Sequence, residues 1–158
     1  MRRFPMLAVV VALALIAAVT TTDAFARSEG IVAKPSAYPV KETKDRLERI
    51  LKAKGFTVYA RIDLGAAARS INQGLAPAEV LVFGMPKIST SLMQSNIVIG
   101  IDLPLKALAY QESDGQIYLT YNHPGYLVRR HGITDMNRLV SAISRILANL
   151  TDDAVQKQ

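Results

Sequence analysis

The sequence predicts a two-layer α+β domain: a curved, mainly antiparallel sheet with helices on one face. Two long helical stripes and a set of short strands between them lead to that class. Val40, Leu47, Ile50 and Leu51 recur at helical spacing, and so do Met136, Leu139, Val140, Ile143, Ile146, Leu147 and Leu150. Each long helix therefore has one apolar stripe to bury. The intervening apolar or alternating runs have strand length and are bounded by Gly, Pro and Asp. The later runs follow one another with only a turn between them, which implies antiparallel pairing.

A short first strand is expected around residues 31–33 or 37–38. Lys41 to Lys54 is a helix with three acid-before-base pairs four apart: Glu42–Arg46, Asp45–Arg49 and Glu48–Lys52. That order favours a solvated helix face, and Gly55 suits the left-handed closing position. Residues 56–63 alternate, with Phe56, Val58, Ala60 and Ile62 on the inward side. Asp63 can cap a short helix over 64–72, whose Leu64, Ala67, Ala68 and Ile71 face inward. Gly74 and Pro77 break the chain before a strand at 79–83. Pro86 suits the first position of a helix, because its missing N–H would be an orphan donor there. Ile97 to Ile101 is apolar on both faces and reads as a central strand. Residues 105–110 and 116–121 flank Glu-Ser-Asp-Gly, a hairpin signal in which Gly115 supplies positive φ. Residues 124–131 form a short helix closed by Gly132, and Thr134 caps the last helix.

The chain has 158 residues, enough for one domain with a real core. Arg2 and Arg3 precede an unbroken apolar run over residues 6–19, and Ala24-Phe25-Ala26 fits a small-x-small cleavage site. The run is shorter than the roughly 20 residues of a membrane span, so residues 1–26 read as a secretory signal peptide. The expected location is periplasmic or secreted. Residues 27–35 then form a leader, 36–150 the domain and 151–158 a disordered tail. The net charge is +6, or +5 without a segment carrying Arg2, Arg3 and Asp23. The charges are dispersed, with no basic stripe of the kind a nucleic-acid partner needs. Zero cysteines exclude disulfides, thiol chemistry and a lipid-anchored amino terminus.

Several stretches carry a family resemblance: residues 58–63 (VYARID), 80–84 (VLVFG), Pro86 with Ser89, Thr90, Ser91 and Met93, residues 101–106 (IDLPLK), and Tyr121 with Arg130-His131-Gly132. Together, over about residues 36–150, they resemble the DUF302 family of small bacterial domains of unknown function. The resemblance implies an α+β fold similar to the TATA-binding-protein-like (TBP-like) class and supplies no reaction. Family members commonly carry asparagine at the position of Met85, and often histidine at that of Leu64.

Met85 is the departure with a chemical consequence. Asparagine before Pro86 would cap the helix; methionine cannot, and a lost cap costs about 1 kcal/mol. A helix start with free N–H groups attracts anions, and Lys87, Ser89 and Thr90 could add donors. By the family pattern Asp102 and Lys106 lie on the neighbouring turn, and His131 joins them as a ligand candidate. A small anionic ligand is the expectation. An enzyme using Asp63, Asp102 and His123 or His131 is the alternative, with Asp63 and Asp102 as facing carboxylates. Copper or haem handling through Met85 and a histidine is a third. No cofactor is called for: His123 and His131 are eight apart, about 12 Å along one helix, so they cannot share one metal there. No serine lies in a nucleophile elbow. The leading reading is non-enzymatic: a small-ligand or interaction module in the cell envelope, with a protein partner or a second copy as other occupants, and membrane contact limited to export.

Overall fold

Val40 to Ala53 folds as helix α1, and Val40, Lys44, Leu47 and Leu51 form its buried stripe. This computed structural model describes residues 29–157; the signal-peptide reading of residues 1–26 lies outside them. The remaining elements are β1 (Ile31–Ser36), β2 (Thr57–Asp63), α2 (Leu64–Ser70), β3 (Ala78–Gly84), α3 (Pro86–Ser95), a 3-10 turn (Ile97–Ile101), β4 (Leu105–Gln111), β5 (Ile117–Asn122), α4 (Pro124–Arg130) and α5 (Asn137–Val155). The five strands form one sheet in the order β1-β5-β4-β3-β2, antiparallel at every pairing. Helices α1 and α5 cover one face over a core of Leu47, Leu51, Leu81, Phe83, Leu119 and Leu147. The α+β expectation, with helices on one face of an antiparallel sheet, holds.

A second, smaller cluster joins α3, the 3-10 turn, α4 and the start of α5 through Leu92, Ile99, Val128, Ile133 and Val140. It sits where β3 ends and β4 begins. The opposite end of the sheet carries the β4–β5 hairpin, the start of β3 and the start of α1.

Four expectations are corrected. Ile97–Ile101 is a 3-10 turn, not a central strand, and Ile97, Val98 and Ile101 are exposed. The sheet has no vacancy for it, since β3 and β5 already flank β4. Strand β2 contains a bulge between Val58 and Ala60. The extra residue inverts the alternation, so Arg61 turns toward α1 while Ile62 is 45 % exposed. Thr134 does not cap α5, which starts at Asn137 with Met136 before it. The chain from 151 is no disordered tail: α5 continues to Val155, with Thr151, Ala154 and Val155 buried. The Ala37 N–H donates to the Val155 carbonyl at 3.0 Å, which ties that last turn to the end of β1. Asp63 does cap α2, its Oδ1 accepting from the Ala66 N–H at 2.7 Å.

Candidate functional site

The start of α3 is built as the sequence suggests, yet it has little to offer an anion. Met85 occupies the cap position without a side-chain bond. Its own carbonyl accepts from the N–H groups of Ile88 (2.9 Å) and Ser89 (3.0 Å). Pro86 has no N–H, so within the first turn of α3 the Lys87 N–H is the one left without an acceptor among the described residues. The Met85 side chain packs against the core. With Ser89, Leu92 and Leu127 it lines an apolar cavity of about 30 Å³, which holds a water or two at most. Lys87 and Thr90 are exposed. Lys106 is also exposed and pairs in register with Val82, on the sheet face away from α1 and α5.

Asp102 and His131 do meet. His131 Nε2 lies 2.6 Å from Asp102 Oδ2, and Arg130 Nη1 donates to Asp102 Oδ1 at 3.3 Å. The His131 side chain is 8 % exposed and that of Asp102 15 %. The Asn96 side chain donates to the His131 carbonyl at 2.8 Å and accepts from the Val98 N–H at 3.0 Å. These bonds clasp the 3-10 turn to the end of α4. Asp63 is not part of the group: it pairs in register with Glu79, at the far end of β3 from Gly84. Glu79 and Gly84 are five residue steps apart along β3, roughly 17 Å, so Asp63 and Asp102 are not facing carboxylates. His123 caps α4, its Nδ1 accepting from the Gly125 N–H at 3.0 Å. Among the described residues no three His, Asp or Glu side chains gather to hold a metal ion.

A larger opening lies at the other end of the sheet. It is a groove of about 640 Å³, lined by Tyr38 and Lys41 at the start of α1, Asp63 and Arg69 around α2, Glu79 at the start of β3, and Gln111 and Gln116 at the hairpin. Pro39 precedes α1 without a side-chain cap. The first intrahelical bond runs from the Thr43 N–H to the Pro39 carbonyl, and no acceptor meets the N–H groups of Val40, Lys41 and Glu42 among the described residues. The carboxylates of the groove are already engaged. Glu79 accepts from Arg61 at 2.6 Å, and Asp63 caps α2 with Arg69 at 3.7 Å. Lys41 and Arg69 keep exposed side chains, Lys41 paired with Asp45 on its own helix at 2.9 Å. The lining charges are thus two of each sign, all in ion pairs, with both cations exposed and the first backbone N–H groups of α1 unmatched.

Behind the groove lies a polar layer that the charge pattern of α1 conceals. Arg61 reaches Asp45 and Glu79 at 2.6 Å and Glu48 at 3.5 Å. Lys44 is fully buried and donates to the Ala107 carbonyl. Burial pushes its ammonium down to about 7, opposed by the Glu79 carboxylate and assisted by Arg61. Of the three expected helix pairs, Glu48–Lys52 forms at 2.6 Å. Arg46 turns instead to the carbonyls of Asp153, Ala154 and Gln156 and lies over the Tyr38 ring. The spacing Val40, Lys44, Leu47, Leu51 placed Lys44 on the apolar stripe, which was the available signal.

Residues 32–150 match the family described as "Domain of unknown function DUF302". The chain belongs to the DUF302 family. A crystal structure of an uncharacterized conserved DUF302 protein from Bacillus stearothermophilus superposes with a TM-score of 0.72 at 23 % identity. It covers 80 % of this chain and 99 % of that one. Among curated relatives, Fluoride-specific ion channel FluC 1 of Brucella suis biovar 1 (strain 1330) is 40 % identical over 104 residues, 66 % of this chain and 41 % of the relative. Fluoride-specific ion channel FluC 2 of Brucella melitensis biotype 1 is also 40 % identical, over 38 % of its length. This DUF302 chain thus spans about two fifths of the curated relatives it matches.

Proposed function

We propose that this DUF302 protein is an exported small-ligand-binding module of the cell envelope, and that the groove at the start of α1 is its site. The groove itself carries the reading. Its volume lies within the usual range for small-molecule sites, and it is lined by the uncapped start of α1 and by Lys41 and Arg69, whose exposed ion pairs a bound anion can exchange. Such a lining suits a small carboxylate or phosphate, with Gln111 and Gln116 able to read its polar substituents. We therefore reassign the anion expected at the start of α3 to the groove beside α1.

Export rests on the apolar run and cleavage pattern of residues 1–26. The curated relatives named as ion channels lend support to a place at a membrane. No helix among the described residues is long and apolar enough to cross a membrane.

Titration calorimetry with acetate, succinate and inorganic phosphate tests the site. Saturable binding of at least one is expected, lost in Arg69→Ala and Lys41→Ala with little change in thermal stability, and unchanged in Lys87→Ala. Absence of binding by all three, or loss in Lys87→Ala alone, sinks the assignment. Amino-terminal sequencing of periplasmic protein should begin at Arg27; a start at Met1 removes the export reading.

A further inference from the structure

We propose that the 3-10 turn Ile97–Ile101 docks this domain on an anionic lipid surface. Ile97, Val98 and Ile101 are 67 %, 61 % and 74 % exposed. Contiguous exposed aliphatics of this kind mark interaction sites rather than ordinary surface. The turn is held firmly in that pose. Ile99 between them is fully buried, Asn96 caps Val98, and Met93 packs against Gly100, where an added Cβ would lie 3.2 Å from its Cε.

The surrounding charge selects the occupant. The bonds of Asp102 to Arg130 and His131 bring the basic end of α4 against the turn. Arg129 and Arg130 are exposed, whereas Asp102 is covered by its partners. Asp135, exposed and bonded to Ser95 at 2.9 Å, is an acidic group at the margin. An apolar tip beside two arginines matches the acyl boundary and headgroups of an anionic bilayer. The tip is one turn wide, far short of the roughly 800 Å² per partner of a stable protein interface. Lipid is therefore the occupant that three side chains can serve.

Vesicle flotation with the chain from Arg27 onward, which lacks the apolar leader, tests the proposal. The domain should float with vesicles of phosphatidylglycerol and phosphatidylcholine in equal parts, and weakly with phosphatidylcholine alone. Binding should fall roughly fivefold for Arg129→Gln and weaken with salt. The triple change Ile97→Ser, Val98→Ser, Ile101→Ser should abolish it while the unfolding temperature holds. Ile101→Ser alone, at the most exposed position, should weaken it if the triple variant fails to fold. Absence of flotation with the anionic vesicles, or equal flotation of wild type and Ile101→Ser, overturns the proposal. So does a dimer that the triple variant dissolves without any lipid binding, which makes the turn a protein interface.

Discussion

The two ends of the sheet solve the same problem in opposite ways. Each must close a helix that starts after a strand, α3 after β3 and α1 after β1. At α3 the Met85 carbonyl takes two of the first N–H groups and the methionine side chain fills the core, so the end is shut. At α1 Pro39 supplies only its carbonyl to Thr43, and the groove opens beside the uncapped turn. The shut end instead exposes an apolar turn; the open end exposes charge. A missing cap residue is thus no guide to a free helix terminus, because backbone geometry decides whether the donors are already used.

The largest expected effect is at the shut end. Gly30 has φ +82, and an added Cβ would lie 2.1 Å from the Tyr126 ring. Gly30→Ala should destabilise by about 3 kcal/mol or more, from backbone strain and overpacking together, read by urea denaturation. An effect below about 1 kcal/mol would show that β1 and α4 part easily.

Lys44 behind the open end comes next. Its folded value near 7 lies below the ordinary 10.5. Above 10.5 the amine is neutral in both states and costs nothing by this route. Between 10.5 and 7 the unfolded chain binds the extra proton, so the contribution to stability is lost as pH falls through that window. Lys44→Met should remove this slope and raise stability at pH 7 relative to wild type by up to a few kcal/mol. Parallel stability curves for the two proteins from pH 7 to 10 would refute the buried-amine account.

The clasp is a smaller term. His131→Ala leaves Asp102 with Arg130 alone and should cost about 1–3 kcal/mol. A double-mutant cycle with Asp102→Asn should show a coupling between them; additive effects would mean the contact contributes nothing. Smallest is Met85→Asn. A side-chain cap on the free Lys87 N–H gains up to about 1 kcal/mol, offset by lost packing of the thioether, so the net change should stay within about 1 kcal/mol. A larger rise would mean that the end of α3 was left costly after all.

Most of the secondary structure was legible because its signals are local. The α1 and α5 stripes, the Asp63 cap on α2 and the Gly115 turn each depend on a few neighbouring residues. The candidate site was less legible. Asp102 and His131 do touch, but Lys87, Ser89, Thr90 and Lys106 do not gather around them. Lys44 was hidden among the charges of α1, although its phase matched Leu47. Arg61 and Ile62 were misassigned because one bulge residue shifts every later side chain of β2.

By itself the sequence determined the α+β class, the order of most elements, the family and the Asp63 cap on α2. Those follow from periodicity and local hydrogen bonding, which act over a few residues. Only the tertiary structure decided that Ile97–Ile101 is an exposed turn, that Lys44 is buried and that the open groove lies at α1. A run apolar on both faces has no phase to read, and β3 and β5 already flank β4. The burial of one lysine and the opening of one groove depend on segments brought together from distant parts of the chain.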